Sequence, residues 1–230
     1  MCEDKLPTLE YLREQIENGK KFFAICREFS PSNQDLGELE DTLVNMDTQL
    51  TELENLPFKF NNIFSEEGWI AHDTMDFNIL KLVLEKYEKC GFDEAESLII
   101  EYFDPDNLEK RLFFLNHVEE LRLRKKFIDF AMEDYKLQKY HSVIPMLLMI
   151  LDGAVNDALG KGLHAKGIEM NAWDTITTAD GSINEIKKIF QKERKKTRDE
   201  PIKFPYRNGI LHGRDLGFDN IIVAAKSWCR

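Results

Sequence analysis

Cysteine is scarce in this chain and badly placed for chemistry. Cys2, Cys26, Cys90 and Cys229 lie far apart and form no CxxC pair. That spacing argues against a zinc site and against a disulfide framework, so a reducing, cytoplasmic setting is the simplest expectation. No apolar run approaches the roughly 20 residues that a membrane helix requires, and no membrane partner is expected. The first residues, Met1-Cys2-Glu3-Asp4-Lys5, carry charge where a signal peptide would carry an apolar core. Internal repeats and low-complexity tracts are missing, and no run alternates well enough to argue a sheet. The chain also lacks a phosphate-binding GxxxxGK[ST] loop. Gly160-Lys161-Gly162 is too short for one, and no strand precedes it. His72, His117, His141 and His164 have no partner at metal-ligand spacing. Neither a Ser-His-Asp set nor a metal-binding carboxylate group stands out, so no cofactor and no metal are expected.

What is present is a globular balance: 43% hydrophobic and 32% charged residues in a chain of 230. The net charge of -11 is unevenly spread. Residues 122–230 hold 20 Lys and Arg against 14 Asp and Glu, a net of +6, while residues 1–121 carry -17. The acidic half should repel nucleic acid and the basic half could attract it. Two ordinary solvated surfaces would give the same numbers. The charge split and the helical pattern suggest an acidic helical region over residues 1–121 and a second helical unit over residues 122–230.

The pattern of apolar steps predicts an all-α protein. Thr8 can cap a helix from about Leu9 to Phe29, and Asn33 a second from Gln34 to Leu56, which Pro57 should end. Phe58 to Asp73 reads as a packed connector. Asp76 can cap a helix over 77–90 that Gly91 closes, another runs over 94–103, and Asp104-Pro105-Asp106 restarts the chain. From Asn107 to about Leu137 neither glycine nor proline interrupts, which predicts one long helix. The next runs from Tyr140 to Leu159, with Ser142 as a cap and Ile144, Leu148, Leu151, Val155 and Leu159 as its buried stripe. Asp152 falls inside that stripe, and a carboxylate there needs a partner. Ser182 can cap a basic helix over 183–197, and residues 218–228 read as a final helix. The apolar pattern still runs at Ser227-Trp228-Cys229-Arg230, with no capping residue in sight.

The residues that carry chemistry lie just before that final helix: Arg207-Asn208-Gly209-Ile210-Leu211-His212-Gly213-Arg214. Arginine is always protonated and presents a planar fork of donors to phosphate. Histidine moves protons near neutral pH. A fixed positive charge and a proton carrier are what phosphodiester cleavage needs.

Residues from about Leu123 to Arg230 resemble a HEPN domain (higher eukaryotes and prokaryotes nucleotide-binding), a small up-and-down helical bundle with an Arg-x4-6-His motif. The matching positions are Arg207 and His212, four residues intervening, with Asn208 at the polar position after the arginine and Asp152 at the acid on an earlier core helix. The resemblance covers about half the chain. It implies a metal-independent endoribonuclease of the toxin or antiphage-defence kind, acting on RNA as a homodimer whose two motifs face one cleft. It also leaves room for an antitoxin or other regulatory partner. Arg207, His212 and Asn208 are then the catalytic candidates and Asp152 the residue that orients them. Lys187, Lys188, Lys192, Arg194, Lys195 and Arg214 are candidates for RNA binding.

Other roles stay open. Arg207 could pair with Asp152 for structural reasons alone, with His212 a satisfied residue at a helix start. A HEPN-like bundle can also keep its motif as a non-catalytic module for RNA or nucleotide binding, or for dimerisation. The acidic half could recruit partners or shield the basic half. Trp69 and Trp173 could stack on bases, although core or loop packing is commoner.

Overall fold

The computed structural model describes residues 7–30, 34–72, 75–160, 192 and 194–229. These are mostly helical, as an all-α chain should be, and the one exception is a two-stranded ribbon. Among them no helix is long and apolar enough to cross a membrane.

The chain forms two compact units, Met1–Lys59 and Phe60–Arg230. The division therefore does not fall near residue 121, where composition and charge placed it. Residues 60–121 are built into the same unit as the C-terminal stretch. Cys229 donates its Sγ–H to the Ile70 carbonyl at 3.3 Å, and Tyr135 donates to the Phe103 carbonyl at 3.0 Å.

In the first unit, α1 (Pro7–Phe29) and α2 (Gln34–Phe64) form an antiparallel pair laced by charge. Arg13 pairs with Glu54, Lys20 with Asp47 at 2.7 Å, and Arg27 with Glu40 at 2.7 Å. Gly19 lets the helices approach, since a Cβ there would lie 3.0 Å from Leu43 Cδ1. Pro57 does not end α2 as expected; the helix runs on to Phe64. A mid-helix proline costs about 3 kcal/mol. The extra turns carry Phe60 and Phe64, both fully enclosed with rings 4.8 Å apart, and two buried aromatics offset that cost.

In the second unit, α3 (Phe77–Cys90) starts where Asp76 accepts from the Asn78 N–H at 2.8 Å. Gly91, at φ +87°, both ends α3 and precedes α4 (Phe92–Tyr102). The left-handed φ is the reason for glycine there. Asp104 caps α5 (Pro105–Glu109). The long helix expected over 107–137 is broken into α5, a 3-10 turn (Leu112–His117), α6 (Glu119–Arg122) and α7 (Lys125–Lys136). Tertiary contacts override propensity here. Arg111 swings back over the Tyr102 ring, 3.7 Å from its centroid, and donates to the Tyr102 carbonyl. Tyr135, wholly enclosed, ties α7 to the end of α4. One straight helix could not satisfy both.

A left-handed Gln138, φ 56°, turns the chain into α8 (Tyr140–Leu159). Ser142 does not cap α8; its hydroxyl donates to Asp134 Oδ2 at 2.6 Å instead. Ile144 and Leu148 are buried as expected, whereas Leu151 and Val155 are only half-buried. Strands β1 (Arg198–Pro201) and β2 (Asp215–Gly217) pair in parallel, Arg198 opposite Asp215. At Gly217 a Cβ would fall 2.2 Å from the Glu200 carbonyl oxygen, so only glycine fits. Between the strands sits α9 (Arg207–Leu211), and α10 (Ile221–Trp228) follows, capped by Asn220.

Candidate functional site

The residues of the motif are brought together on α9. Arg207 is its first residue, and His212 ends it with an N–H to the Asn208 carbonyl at 3.3 Å. Histidine therefore stands at the end of this one-turn helix rather than at a helix start. Its side chain is exposed. Arg207 turns the other way, toward α8. Its Nη2 donates to Asp152 Oδ2 at 2.7 Å, and its Nη1 to Asn208 Oδ1 at 2.9 Å. The arginine is 18% exposed and the aspartate 20%, so the pair is shielded at the edge of solvent. The partner that Asp152 needed within its apolar stripe is thus Arg207, 55 residues on. The Arg207 Nε–H is buried and has no hydrogen-bond partner.

Beside Asp152, α8 carries a second clamp. Arg124 donates to Asp157 Oδ2 at 2.7 Å and to the Glu120 carbonyl at 2.7 Å. Its guanidinium lies over Gly153, where a Cβ would come within 2.7 Å of Nη2. A side chain at 153 would push that guanidinium aside.

The RNA-binding candidates divide. Lys187 and Lys188 lie outside the described residues, as do Trp173, His164 and most of the basic helix expected over 183–197. The described end of that segment, 194–197, is not helical. Arg194 is drawn instead onto Asp215 and over the Tyr206 ring. Lys192 Nζ also meets Tyr206, donating to its hydroxyl at 3.1 Å and lying 4.5 Å from the ring centroid. Lys195 and Arg214 are exposed, and one Arg214 nitrogen donates to the Arg194 carbonyl. Only Arg194, among the described candidates, is folded inward, at 16% exposure.

Trp69 is not a stacking platform. It is fully enclosed, and its indole N–H donates to Glu96 Oε1 at 2.9 Å. Glu96 also pairs with Lys226 Nζ at 2.9 Å, and that lysine is wholly buried with Trp69 and Phe204 rings about it. Sequence reasoning missed this pair, and missed Asp215, another enclosed charge. A signal existed for Lys226, which lies within an apolar helical run. His72, taken as incidental, is held down to about 4 by burial and by the nearby Arg111 charge. His141 lies 3.8 Å from Asp219 on the surface. Among the described residues, no three His, Cys, Asp or Glu gather where they could hold a metal ion.

Comparison with protein-family models, with characterised proteins and with solved structures returns no match.

Proposed function

We propose that this protein is a metal-independent endoribonuclease, working in the cytoplasm in a toxin or defence role. Its site combines Arg207 and His212 of one copy with those of a second copy. The supporting observation is the arrangement on α9. Asp152 and Asn208 hold Arg207 in place, and five residues on, His212 stands exposed.

RNA carries its own nucleophile, the 2′-hydroxyl. His212 of one copy takes that proton as the 2′-oxygen attacks phosphorus, and His212 of the second copy gives a proton to the departing 5′-oxygen. The products are a 2′,3′-cyclic phosphate and a 5′-hydroxyl. Arg207, released from Asp152 or Asn208 when RNA binds, supplies a donor to the non-bridging oxygens, where charge builds in the transition state and an oriented donor acts most strongly. The exposed Lys195 and Arg214 suit phosphates on either side.

Purified wild type and His212→Ala, incubated with total RNA in EDTA, test the reading. New 2′,3′-cyclic ends are expected from the wild type only. Cleavage that EDTA abolishes, or that His212→Ala retains, would overturn it. In cells, wild-type expression should slow growth and His212→Ala should relieve it; a restraining partner would then be sought by whether its co-expression restores growth.

One observation favours a second reading, a non-catalytic module for RNA or nucleotide binding or for dimerisation. Both terminal nitrogens of Arg207 are already engaged within the chain. That reading expects Arg207→Ala to weaken binding with no cleavage by either form.

A further inference from the structure

Behind the Arg207–His212 turn lies a charged pair that the proposed cleavage does not use. Asp215 has no exposed side-chain surface, and its Oδ2 accepts from Arg194 Nε at 3.0 Å. This pair bears directly on the turn. A Cβ on Gly209, between Arg207 and His212, would lie 1.9 Å from Asp215 Oδ2 and 3.1 Å from Arg194 Cγ. The carboxylate therefore fills the space that a side chain would take and lies against the backbone of α9. On the other side, the Arg194 guanidinium sits 4.3 Å from the centroid of Tyr206, the residue from which α9 starts. The strands complete the enclosure: the Arg214 N–H donates to the Gly209 carbonyl at 2.7 Å, and the Arg198 N–H to the Arg214 carbonyl at 2.7 Å.

A buried ion pair adds little net stability over apolar packing of the same volume. One placed directly under a turn does something apolar packing does less well, because its charge and hydrogen-bond directions fix a single geometry. The geometry points to Asp215 and Arg194 as positioning residues for the Arg207–His212 site. They set the backbone of α9, and with it the separation and direction in which the arginine and histidine are presented. Such sites tolerate errors of only about half an ångström. The inference rests on the RNA-cleavage reading for its activity readout, and has a second readout that does not need activity.

The full chain is compared as wild type, Asp215→Asn and Arg194→Lys. The first variant removes the charge, and the second keeps the charge but loses the planar fork over Tyr206. Cleavage is followed as kcat and KM, and the ring C–H resonances of His212, assigned with His212→Gln, are followed by NMR. Both variants are expected to lose at least about tenfold in kcat and to hold KM within about twofold, with moved His212 resonances and cooperative thermal unfolding. Folded variants with wild-type kcat and unmoved His212 resonances would overturn the inference. Should Asp215→Asn not fold, Arg194→Lys decides on the same two readouts. If the wild type cuts no RNA, the cleavage reading fails by itself. The His212 resonances then decide alone: moved in the variants, the positioning role stands; unmoved, it falls.

Discussion

Two ion pairs tie the C-terminal stretch to earlier helices, and they are built to opposite ends. Lys226 of α10 meets Glu96 of α4 with no exposed surface on the lysine and 9% on the glutamate. Trp69 donates to the same carboxylate, and the rings of Trp69 and Phe204 lie about 5 Å from the ammonium. Arg207 of α9 meets Asp152 of α8 at the edge of solvent, next to an amide and one helical turn from an exposed histidine. The first pair is sealed from solvent among aromatic rings and serves architecture. The second keeps contact with solvent. A charge that is sealed in holds helices together; a charge that is oriented but left at the boundary can still meet a ligand.

Breaking each pair should show that contrast. The largest effect is expected for Lys226→Ala, which leaves Glu96 buried without its cation and should cost about 3–5 kcal/mol in denaturant unfolding. Replacing both partners, as Lys226→Met with Glu96→Leu, should recover only part of the loss, because apolar packing substitutes for the ion pair while the buried Trp69 N–H loses its acceptor. Next comes acid. His72 belongs to the sealed region, beside the Phe103 ring, and its folded value of about 4 lies below the ordinary 6.5. The unfolded chain takes up a proton as pH falls through 6.5, and the folded chain does not until about 4. Stability is therefore complete above that window and drains away on acidification through it, by about 3 kcal/mol in all. Unfolding curves of wild type and His72→Phe at pH 7 and pH 4.5 would show it, the variant lacking that part of the slope. Arg207→Ala is expected to cost less, about 1–2 kcal/mol, between the values for exposed and for buried pairs. The same variant should abolish RNA cleavage or binding. The smallest change in stability, within about 0.5 kcal/mol, is expected for His212→Ala, since the side chain is exposed. Its thermal unfolding should overlay the wild type while cleavage is lost.

The sequence made local structure readable wherever a residue satisfies its own neighbours. Asp76, Gly91 and Asp104 act within a turn of themselves, and each does what its type implies. The Asp152–Arg207 pair was also foreseeable, because an acid within an apolar stripe demands a cation. Applied to Lys226, set among Val223, Ala225 and Ser227, the same argument would have asked for a buried acid, although nothing local names Glu96. What sequence could not disclose were the decisions made at a distance. The helix break between Asn107 and Leu137 answers to Tyr102 and Phe103, and the persistence of α2 past Pro57 answers to the enclosure of Phe60 and Phe64. Asp215 looks like an ordinary loop acid until the fold brings Gly209 and Arg194 against it.

The hydrogen bond from Cys229 to Ile70 joins residues 159 positions apart, and Lys226 reaches back nearly as far to Glu96. A chain emerging from the ribosome can form α3 and α4 early, yet their charged and aromatic faces stay open until α10 has been synthesised. Such distant closures make folding slow and late. The Arg207–His212 turn precedes α10 by only about ten residues, so the motif and the element that closes the fold around it emerge almost together, after everything they pack against.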